Sequence, residues 1–106
     1  MNKDHTYYVY ILSNPSRTVL YVGMTNTLKV RLQQHYDGCK TASSKSFTSR
    51  YQCYELMYFE VYQYVTEAIA RENQLKKWSR KKKENLINTK NPNWNSLNIQ
   101  FLYTEE

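Results

Sequence analysis

Five residues in this sequence are of types that together can hydrolyse a phosphodiester: Tyr10, Tyr21, Arg31, His35 and Glu72. A phenol oxygen can take a proton from water, a guanidinium can hold two phosphate oxygens at once, and a carboxylate can bind a divalent ion. A phenol is a poor base because its ordinary pKa is about 10, so a neighbouring cation has to stabilise the phenolate. This chemistry requires the five side chains to meet in one place.

The two tyrosines belong to a predicted β-hairpin. Residues 6–12 are almost all aromatic or aliphatic, which predicts a buried strand, and residues 18–23 predict the returning strand. The loop between them, residues 13–18, contains Pro, Asn and Ser, which favour turns. With this loop Tyr10 is expected directly opposite Tyr21, so that both phenols project from one face of the sheet. Paired tyrosines are also ordinary sheet packing, and that alternative remains open.

Arg31 and His35 belong to a helix that is predicted directly after the hairpin. Gly23 is expected to break the strand as a turn glycine, and Thr25 or Asn26 to cap a helix that ends near residue 36. Residues four apart lie on the same helix face, so Arg31 and His35 are expected together at the border of the buried stripe, facing a cleft. That stripe is predicted to consist of apolar residues at every fourth position: Leu28, Leu32 and Tyr36.

A third strand is predicted over residues 51–64, after a polar loop formed by residues 39–50. It is expected to complete a three-stranded antiparallel sheet. Side chains alternate between the two faces of a strand, which places one set of five residues on a common face. The members of that set are Leu56, Tyr58, Glu60, Tyr62 and Tyr64.

Glu72 lies on the next predicted helix, which Thr66 is expected to cap. The apolar stripe of that helix is predicted to contain Ala68, Ile69, Leu75 and Trp78. Glu72 falls in the middle of this stripe, and burying an unpaired carboxylate costs several kcal/mol. A cation, a metal ion or hydrogen-bond donors are therefore expected beside it. The alternatives are a salt bridge to an Arg, possibly Arg31, and a side chain that reaches out to solvent.

Positive charge is concentrated near the end of this helix and in a third helix that Ser79 is predicted to cap. The 106-residue chain has a net charge of +6, and its pI is about 9.3. The basic patch consists of Lys76, Lys77, Arg80, Lys81, Lys82 and Lys83. Such a patch favours a nucleic-acid partner, although a solvated helix face has the same composition. Beyond it, residues 91–94 are expected to end the helical region, and Trp94, Leu97, Ile99 and Phe101 to cover part of the core.

The composition also limits the class of protein. No apolar run approaches the roughly 20 residues of a membrane span, and no signal-peptide pattern is present, so a cytoplasmic protein without membrane contact is expected. Cys39 and Cys53 have neither metal-ligand spacing nor a disulfide framework, which predicts free thiols in a reducing compartment. The length predicts one domain over residues 1–106, with a core at about 6–94 and a C-terminal tail at 95–106.

The tyrosine motifs and their spacing resemble the GIY-YIG nuclease superfamily. Tyr8-Val9-Tyr10 is followed by Tyr21-Val22-Gly23, then by Arg31, His35 and a helical Glu72. The resemblance is closest to small single-domain bacterial members, similar to the excision-repair incision domain and to structure-specific endonucleases. It covers about residues 7–94, including the segment 71–78 and the downstream Asn-Pro-Asn-Trp. Two departures are present: Tyr8 replaces the first glycine, and the usual polar residue after the glutamate is Asn85, Asn88 or Asn91.

The resemblance implies a fold and a mechanism. The fold is α+β, with a three-stranded antiparallel sheet flanked by helices, the GIY-YIG endonuclease fold. Tyr10 or Tyr21 is implied as the general base, Arg31 as the clamp on the scissile phosphate, and Glu72 as the ligand of one Mg²⁺ or Mn²⁺ ion. His35 is implied to relay a proton or orient a phenol, and Gly23 to be the turn glycine.

Three hypotheses follow for the function. The first is a metal-dependent endonuclease that hydrolyses DNA in repair or recombination. The second is a nucleic-acid-binding module without catalysis, and the third is an accessory subunit whose protein partner supplies targeting. Cleavage that requires Mg²⁺ and Glu72 distinguishes the first from the other two.

Overall fold

The most apolar stretch of the sequence, β1 (Tyr7–Ser13), forms the middle of a three-stranded antiparallel sheet in the order β2-β1-β3. The computed structural model describes residues 6–40 and 46–102, with side chains as far as residue 100. Helices cover both faces of the sheet, so the predicted α+β class and the three-stranded antiparallel sheet are confirmed. The other elements are β2 (Leu20–Thr25), α1 (Leu28–Cys39), α2 (Phe47–Arg50), β3 (Glu55–Tyr62), α3 (Val65–Lys76), α4 (Arg80–Lys90) and α5 (Ile99–Leu102).

The β1–β2 hairpin has a register two residues away from the predicted one. Tyr10 lies opposite Gly23, and not opposite Tyr21 as expected. The loop occupies residues 14–19 because the Asn14 side chain organises it, with Oδ1 accepting hydrogen bonds from the backbone N–H groups of Thr18 and Val19. A shift of two residues preserves the side of the sheet that each side chain faces. The two phenols therefore do share a face, as diagonal neighbours.

Gly23 does not form a turn, and that prediction is wrong. It lies inside β2, and its φ angle is not positive. The Tyr10 ring lies directly over it: a Cβ atom added to Gly23 would meet the Tyr10 hydroxyl oxygen at 2.5 Å. Glycine is required here because it leaves the space that the phenol occupies.

The sheet separates two hydrophobic clusters. On the α1 side, the buried residues are Tyr10, Leu12, Leu28, Leu32, Cys53 and Leu56. On the side of α3 and α4, they are Val9, Ile11, Val22, Met57, Tyr58, Ala68, Leu75 and Ile87. β1 contributes alternate residues to both clusters, which explains why it is apolar almost throughout.

β3 is shorter than predicted and contains a bulge. Residues 51–54 form a turn in which Gln52 has a φ of 58°, so the strand begins at Glu55. The register with β1 shifts between Leu56 and Tyr58. The bulge sends Leu56 to the α1 side, whereas Tyr58 and Tyr62 lie on the α3 side. The prediction that these side chains share one face is therefore wrong for Leu56.

The helices follow the predicted order with different beginnings. α1 is preceded by Thr27, not by either residue proposed as its cap, and α3 already includes Thr66 in its first turn. Ser79 does cap α4, and its hydroxyl accepts the Lys82 N–H. Residues 46–50 of the predicted loop include α2, which Ser46 caps; residues 41–45 lie outside the described part. In α1 the buried stripe includes His35, while Tyr36 is half-buried.

The region after α4 packs back onto the sheet, as predicted for Trp94 and Leu97. Leu97 donates its N–H to the carbonyl of Leu56 on the edge strand. Ile99 is 65% exposed, so its predicted burial is wrong, and the side chain of Phe101 lies outside the described part. Both cysteines are free thiols, as predicted. Over the described residues, no helix is both long and apolar enough to span a bilayer.

Candidate active site

A buried hydrogen-bonded chain links β1, α1 and α2. The Tyr10 hydroxyl lies 3.1 Å from His35 Nε2, and His35 Nδ1 lies 3.1 Å from the Thr48 hydroxyl. All three side chains are less than 10% exposed. Both ring nitrogens of His35 therefore have a partner, which fixes the orientation of the imidazole.

Tyr21 and Arg31 complete the wall of a cleft beside this chain. The Tyr21 ring packs edge-on against His35 at a centroid distance of 5.8 Å. Arg31 lies one helical turn before His35, half-buried, and donates to the Gln34 side chain over 2.9 Å. The cleft has a volume of about 230 Å³, and its lining includes Tyr21, Arg31, Gln34, His35, Phe47 and Thr48. Arg31 and His35 therefore face a common cleft, as predicted.

Burial is the main influence on the protonation states of Tyr10 and His35. It raises the pKa of Tyr10 to about 12, although the charge of Arg31 acts in the opposite direction. Burial, with a contribution from Arg31, lowers the pKa of His35 to about 4. At neutral pH the phenol is therefore protonated and the imidazole is neutral. The expected stabilisation of the Tyr10 phenolate by a cation is therefore outweighed by burial.

Glu72 lies on α3, which packs against β1 and β2, and it does not line the cleft described above. Its charge makes only a minor contribution to the raised pKa of Tyr10. Its side chain is 19% exposed and lies 3.0 Å from the Lys76 ammonium group one turn later. The salt bridge considered in the sequence analysis is thus made to Lys76 and not to Arg31.

Glu72 offers a divalent ion a sparse set of ligands. Within residues 6–40 and 46–100, no three His, Cys, Asp or Glu side chains are grouped as a metal cage. Mg²⁺ commonly retains several waters and is bound through one or two carboxylates together with substrate phosphates. The single half-buried carboxylate of Glu72 does not line the described cleft, but it fits an ion of that kind, whose remaining ligands are water and phosphate oxygens. It does not fit structural zinc, which needs four protein ligands.

A second polar cluster lies on the α3 side of the sheet, where β3 meets α3. The Glu60 carboxylate accepts hydrogen bonds from the hydroxyls of Tyr58 and Tyr62 at 2.5 and 2.6 Å. It also accepts two bonds from the Arg71 guanidinium, both at 2.9 Å. Burial raises the pKa of Glu60, but these donors outweigh that effect and hold it below its usual range. Because Arg71 precedes Glu72, the cluster fixes α3 next to the proposed metal ligand.

The basic patch is divided between structural and solvent-facing residues. Arg80 donates to the carbonyls of Arg17 and Thr18, at 2.7 Å each, and to the Glu84 carboxylate at 2.8 Å. Its guanidinium thereby ties α4 to the hairpin loop, while Lys76 pairs with Glu72. The remaining members are Lys77, Lys81, Lys82 and Lys83, with the Lys82 ammonium over the Trp78 ring.

None of the three candidate asparagines lines the described cleft. Asn91 is buried and donates to the carbonyl of Met57 at the β3 bulge, over 3.0 Å. Asn88 accepts a hydrogen bond from the Trp94 indole, and Asn85 is exposed. Asn91 therefore stabilises the fold, and the polar position that the resemblance implies is not filled at the cleft by these residues.

Sequence reasoning missed the contributions of α2 to the site. Thr48 fixes His35, and Phe47 stacks on Tyr21 at a centroid distance of 5.7 Å. Both lie in a stretch whose Ser and Thr content is typical of a surface loop. The available signal was Ser46, a helix-capping residue directly before Phe47.

Comparison with known proteins identifies the family. The GIY-YIG catalytic domain matches residues 6–85. This chain belongs to the GIY-YIG family. Its relatives include UPF0213 proteins of Clostridium perfringens, 37% identical over 78% of this chain and 84% of the relative, and of Bacillus pumilus, 35% identical over 77% and 79%.

A solved structure agrees with this GIY-YIG assignment. The solution NMR structure of a UPF0213 protein from Bacillus halodurans is 26% identical and covers 94% of this chain and 99% of its own. The TM-score is 0.54. The predicted membership of the GIY-YIG superfamily is therefore confirmed, which assigns the chain to a nuclease family. GIY-YIG nucleases generally depend on a divalent metal ion.

Proposed function

We propose that this protein is a metal-dependent endonuclease that hydrolyses phosphodiester bonds in DNA, in repair or recombination. The observation that carries the proposal is the hydrogen bond between Tyr10 and His35, because His35 lines the same cleft as Arg31. The net charge of +6 favours a polyanionic substrate.

Arg31 has the role of binding the scissile phosphate. Its guanidinium lies at the cleft wall, and its planar donors match two phosphate oxygens. In the transition state the phosphate gains negative charge, and a fixed cation stabilises that charge more than it stabilises the bound substrate. Glu72 would hold the divalent ion, which supplies further neutralisation of the phosphate when bound.

Tyr10 and His35 have the role of removing a proton from the attacking water. With a pKa of about 12, Tyr10 remains protonated and donates to His35 Nε2. The His35 Nδ1–H is then donated to the Thr48 hydroxyl, which leaves Nε2 as the acceptor. As the Tyr10 oxygen accepts the proton of water, its own proton passes to Nε2. Burial and Arg31 disfavour the imidazolium that forms, so the negative charge of the bound phosphate has to stabilise it. Tyr21 packs against the imidazole and holds it at the cleft.

The test is nicking of supercoiled DNA by the purified chain with Mg²⁺ or Mn²⁺, followed by removal of the metal with a chelator. Glu72→Gln, Arg31→Ala and Tyr10→Phe are each expected to lower the rate by about 100-fold or more. Glu67→Gln is the matched control, because Glu67 is an exposed acid on the same helix. Cleavage that persists in chelator, or in Glu72→Gln, refutes the metal mechanism. Salt-dependent DNA binding without any cleavage supports the non-catalytic binding module.

The role of Glu72 as metal ligand has its own test. The Lys76 ammonium lies 3.0 Å from the Glu72 carboxylate, so a metal ion bound by Glu72 would have to displace it. Lys76→Gln is expected to tighten Mn²⁺ binding by a few fold, measured by electron paramagnetic resonance of free Mn²⁺. Lys77→Gln removes the same charge from the adjacent residue and serves as the control. Equal effects of the two variants contradict the assignment of Glu72.

A further inference from the structure

Three aromatic side chains extend from the cleft onto the surface. Tyr21 stacks on Phe47 with an interplanar angle of 29°, and the Phe47 ring lies 4.7 Å from that of Tyr51. Phe47 and Tyr51 are 45% and 44% exposed, respectively. We call Tyr21, Phe47 and Tyr51 the aromatic platform. Its outer two rings present apolar area to solvent, although each has aromatic neighbours.

The aromatic platform is held in place by the buried side of α2. Ser49 donates its hydroxyl to the Gly38 carbonyl over 3.0 Å. The Thr48 carbonyl accepts from the Cys39 thiol at 3.2 Å and from the Cys53 N–H at 2.8 Å. These bonds join α2 to the end of α1, the helix that contains His35. Because α2 is fixed in this way, its exposed rings lose little conformational freedom when a ligand binds.

The surroundings of the aromatic platform favour a nucleic-acid ligand. Its inner end lines the cleft together with Arg31, and at its outer end the Arg50 guanidinium lies 6.0 Å from the Tyr51 ring. Aromatic faces between two cations are complementary to a nucleotide, whose base stacks on a ring while its phosphates meet the cations. A protein-docking surface of the same area has no need for cations at both ends.

We propose that Phe47 and Tyr51 stack with an unpaired nucleobase of the strand whose phosphate lies in the cleft. This inference rests on the function proposed above and adds a substrate class. In a duplex the face of each base is covered by its neighbours, so stacking on the protein requires a nucleotide that is single-stranded, flipped or at a junction. The site therefore selects single-stranded or locally unpaired nucleic acid.

The experiment measures fluorescence anisotropy with a labelled single-stranded DNA of about 12 nucleotides and with a blunt-ended duplex of the same length. A chelator is present, so that binding is observed without cleavage. Phe47→Leu and Tyr51→Leu retain apolar volume but remove the aromatic face. Each is expected to weaken binding of the single strand by about 5- to 100-fold, with little change for the duplex. Tyr64→Leu is the matched control, because Tyr64 is 63% exposed and precedes α3.

A strand with a single abasic position supplies the second arm. If a base stacks on the aromatic platform, the abasic site and Phe47→Leu cause losses that are not additive. Phe47→Trp and Tyr51→Phe, which keep a ring, are expected to bind as the wild type does, and circular dichroism checks that the leucine variants fold. Binding by Phe47→Leu and Tyr51→Leu that equals the wild type, or that falls equally for duplex and single strand, overturns the proposal.

Failure of this inference can be distinguished from failure of the proposed function. If the wild type cleaves DNA and the leucine variants bind normally, the inference is refuted and the proposed endonuclease function stands. If the wild type binds single strands through the aromatic platform but never cleaves, only the proposed endonuclease function is refuted. Concentration-dependent self-association that disappears in Phe47→Leu assigns the surface to a second copy of the chain and overturns the inference.

Discussion

Replacing His35 with glutamine is expected to remove most of the dependence of stability on pH between about pH 7.5 and 5. His35 is 7% exposed, and its pKa is lowered from 6.5 to about 4 in the folded protein. In this range the unfolded chain binds a proton at His35 and the folded chain does not. Lowering the pH therefore favours unfolding.

The magnitude follows from the pKa difference. Each pKa unit corresponds to about 1.4 kcal/mol, so the free energy of unfolding contains a contribution of about 3 kcal/mol. This contribution is fully present above about pH 6.5 and is lost as the pH falls towards the folded value, with about 2 kcal/mol lost by about pH 5. Glutamine keeps an amide near Tyr10 and Thr48 but does not titrate.

The assay is urea unfolding of the wild type and His35→Gln at several pH values. The difference between the two curves isolates His35, because every other titrating group, including Glu60, is present in both proteins. The wild type is expected to lose about 2 kcal/mol more than the variant between about pH 7.5 and 5. Parallel curves, or a His35 pKa near 6.5 by NMR, refute the buried neutral imidazole.

Three further substitutions test the fold and the site by urea unfolding. Gly23→Ala is expected to destabilise by about 1–3 kcal/mol because its Cβ overlaps the phenol of Tyr10; additivity with Tyr10→Ala contradicts that cause. Thr48→Val leaves a buried nitrogen of His35 without its partner and is expected to lower the free energy of unfolding by about 1–3 kcal/mol. Thr48→Ser keeps the hydroxyl and should retain most of that stability. Equal losses in the two variants contradict the hydrogen bond. Arg80→Ala is expected to lower the free energy of unfolding by about 1–2 kcal/mol, because Arg80 bonds two carbonyls of the hairpin loop. Lys81→Ala is expected to change the free energy of unfolding by no more than about 0.5 kcal/mol. It should reduce the slope of DNA affinity against salt concentration by about one phosphate contact. A stability loss for Lys81→Ala equal to that of Arg80→Ala contradicts the structural role of Arg80.

The sheet was predictable because its strands carry strong local signals. β1 is apolar on both faces, and the hairpin loop contains the residues that form turns. The exact register was not predictable, since it depends on the Asn14 side chain, which holds the loop one residue later than expected. The prediction that Tyr10 and Tyr21 lie on the same face of the sheet is nevertheless correct, because the register differs by an even number of residues.

The α1 part of the site was also predictable from spacing alone. Arg31 and His35 are four residues apart, and helical periodicity places them on one face. The burial of His35 was not, because it depends on Tyr10 and on Thr48, which approach from separate elements. Helical periodicity also placed Glu72 in an apolar stripe, of which Ala68 and Leu75 are buried. The prediction is wrong for Ile69, which is 43% exposed, and it did not reveal Lys76 as the partner of Glu72.

The missed features come from contacts between residues distant in sequence. The β3 bulge depends on Asn91, whose side chain bonds the Met57 carbonyl from 34 positions away. α2 is too short to show a helical pattern, and bonds to the end of α1 stabilise it. Arg80 looked like one more surface cation in a basic run, and only the structure shows that its donors are used by the hairpin loop.

The hydrogen bonds between Arg71 and Glu60 also fix the orientation of α3. Arg71 and Glu72 are consecutive in α3, so their side chains leave the helix axis about 100° apart. Two parallel hydrogen bonds from the guanidinium to Glu60 prevent α3 from rolling about its own axis. The edge strand β3 therefore determines the direction in which the Glu72 side chain leaves α3. Moving β3 by one pair of residues along β1 would redirect the Glu72 carboxylate although neither Arg71 nor Glu72 is substituted.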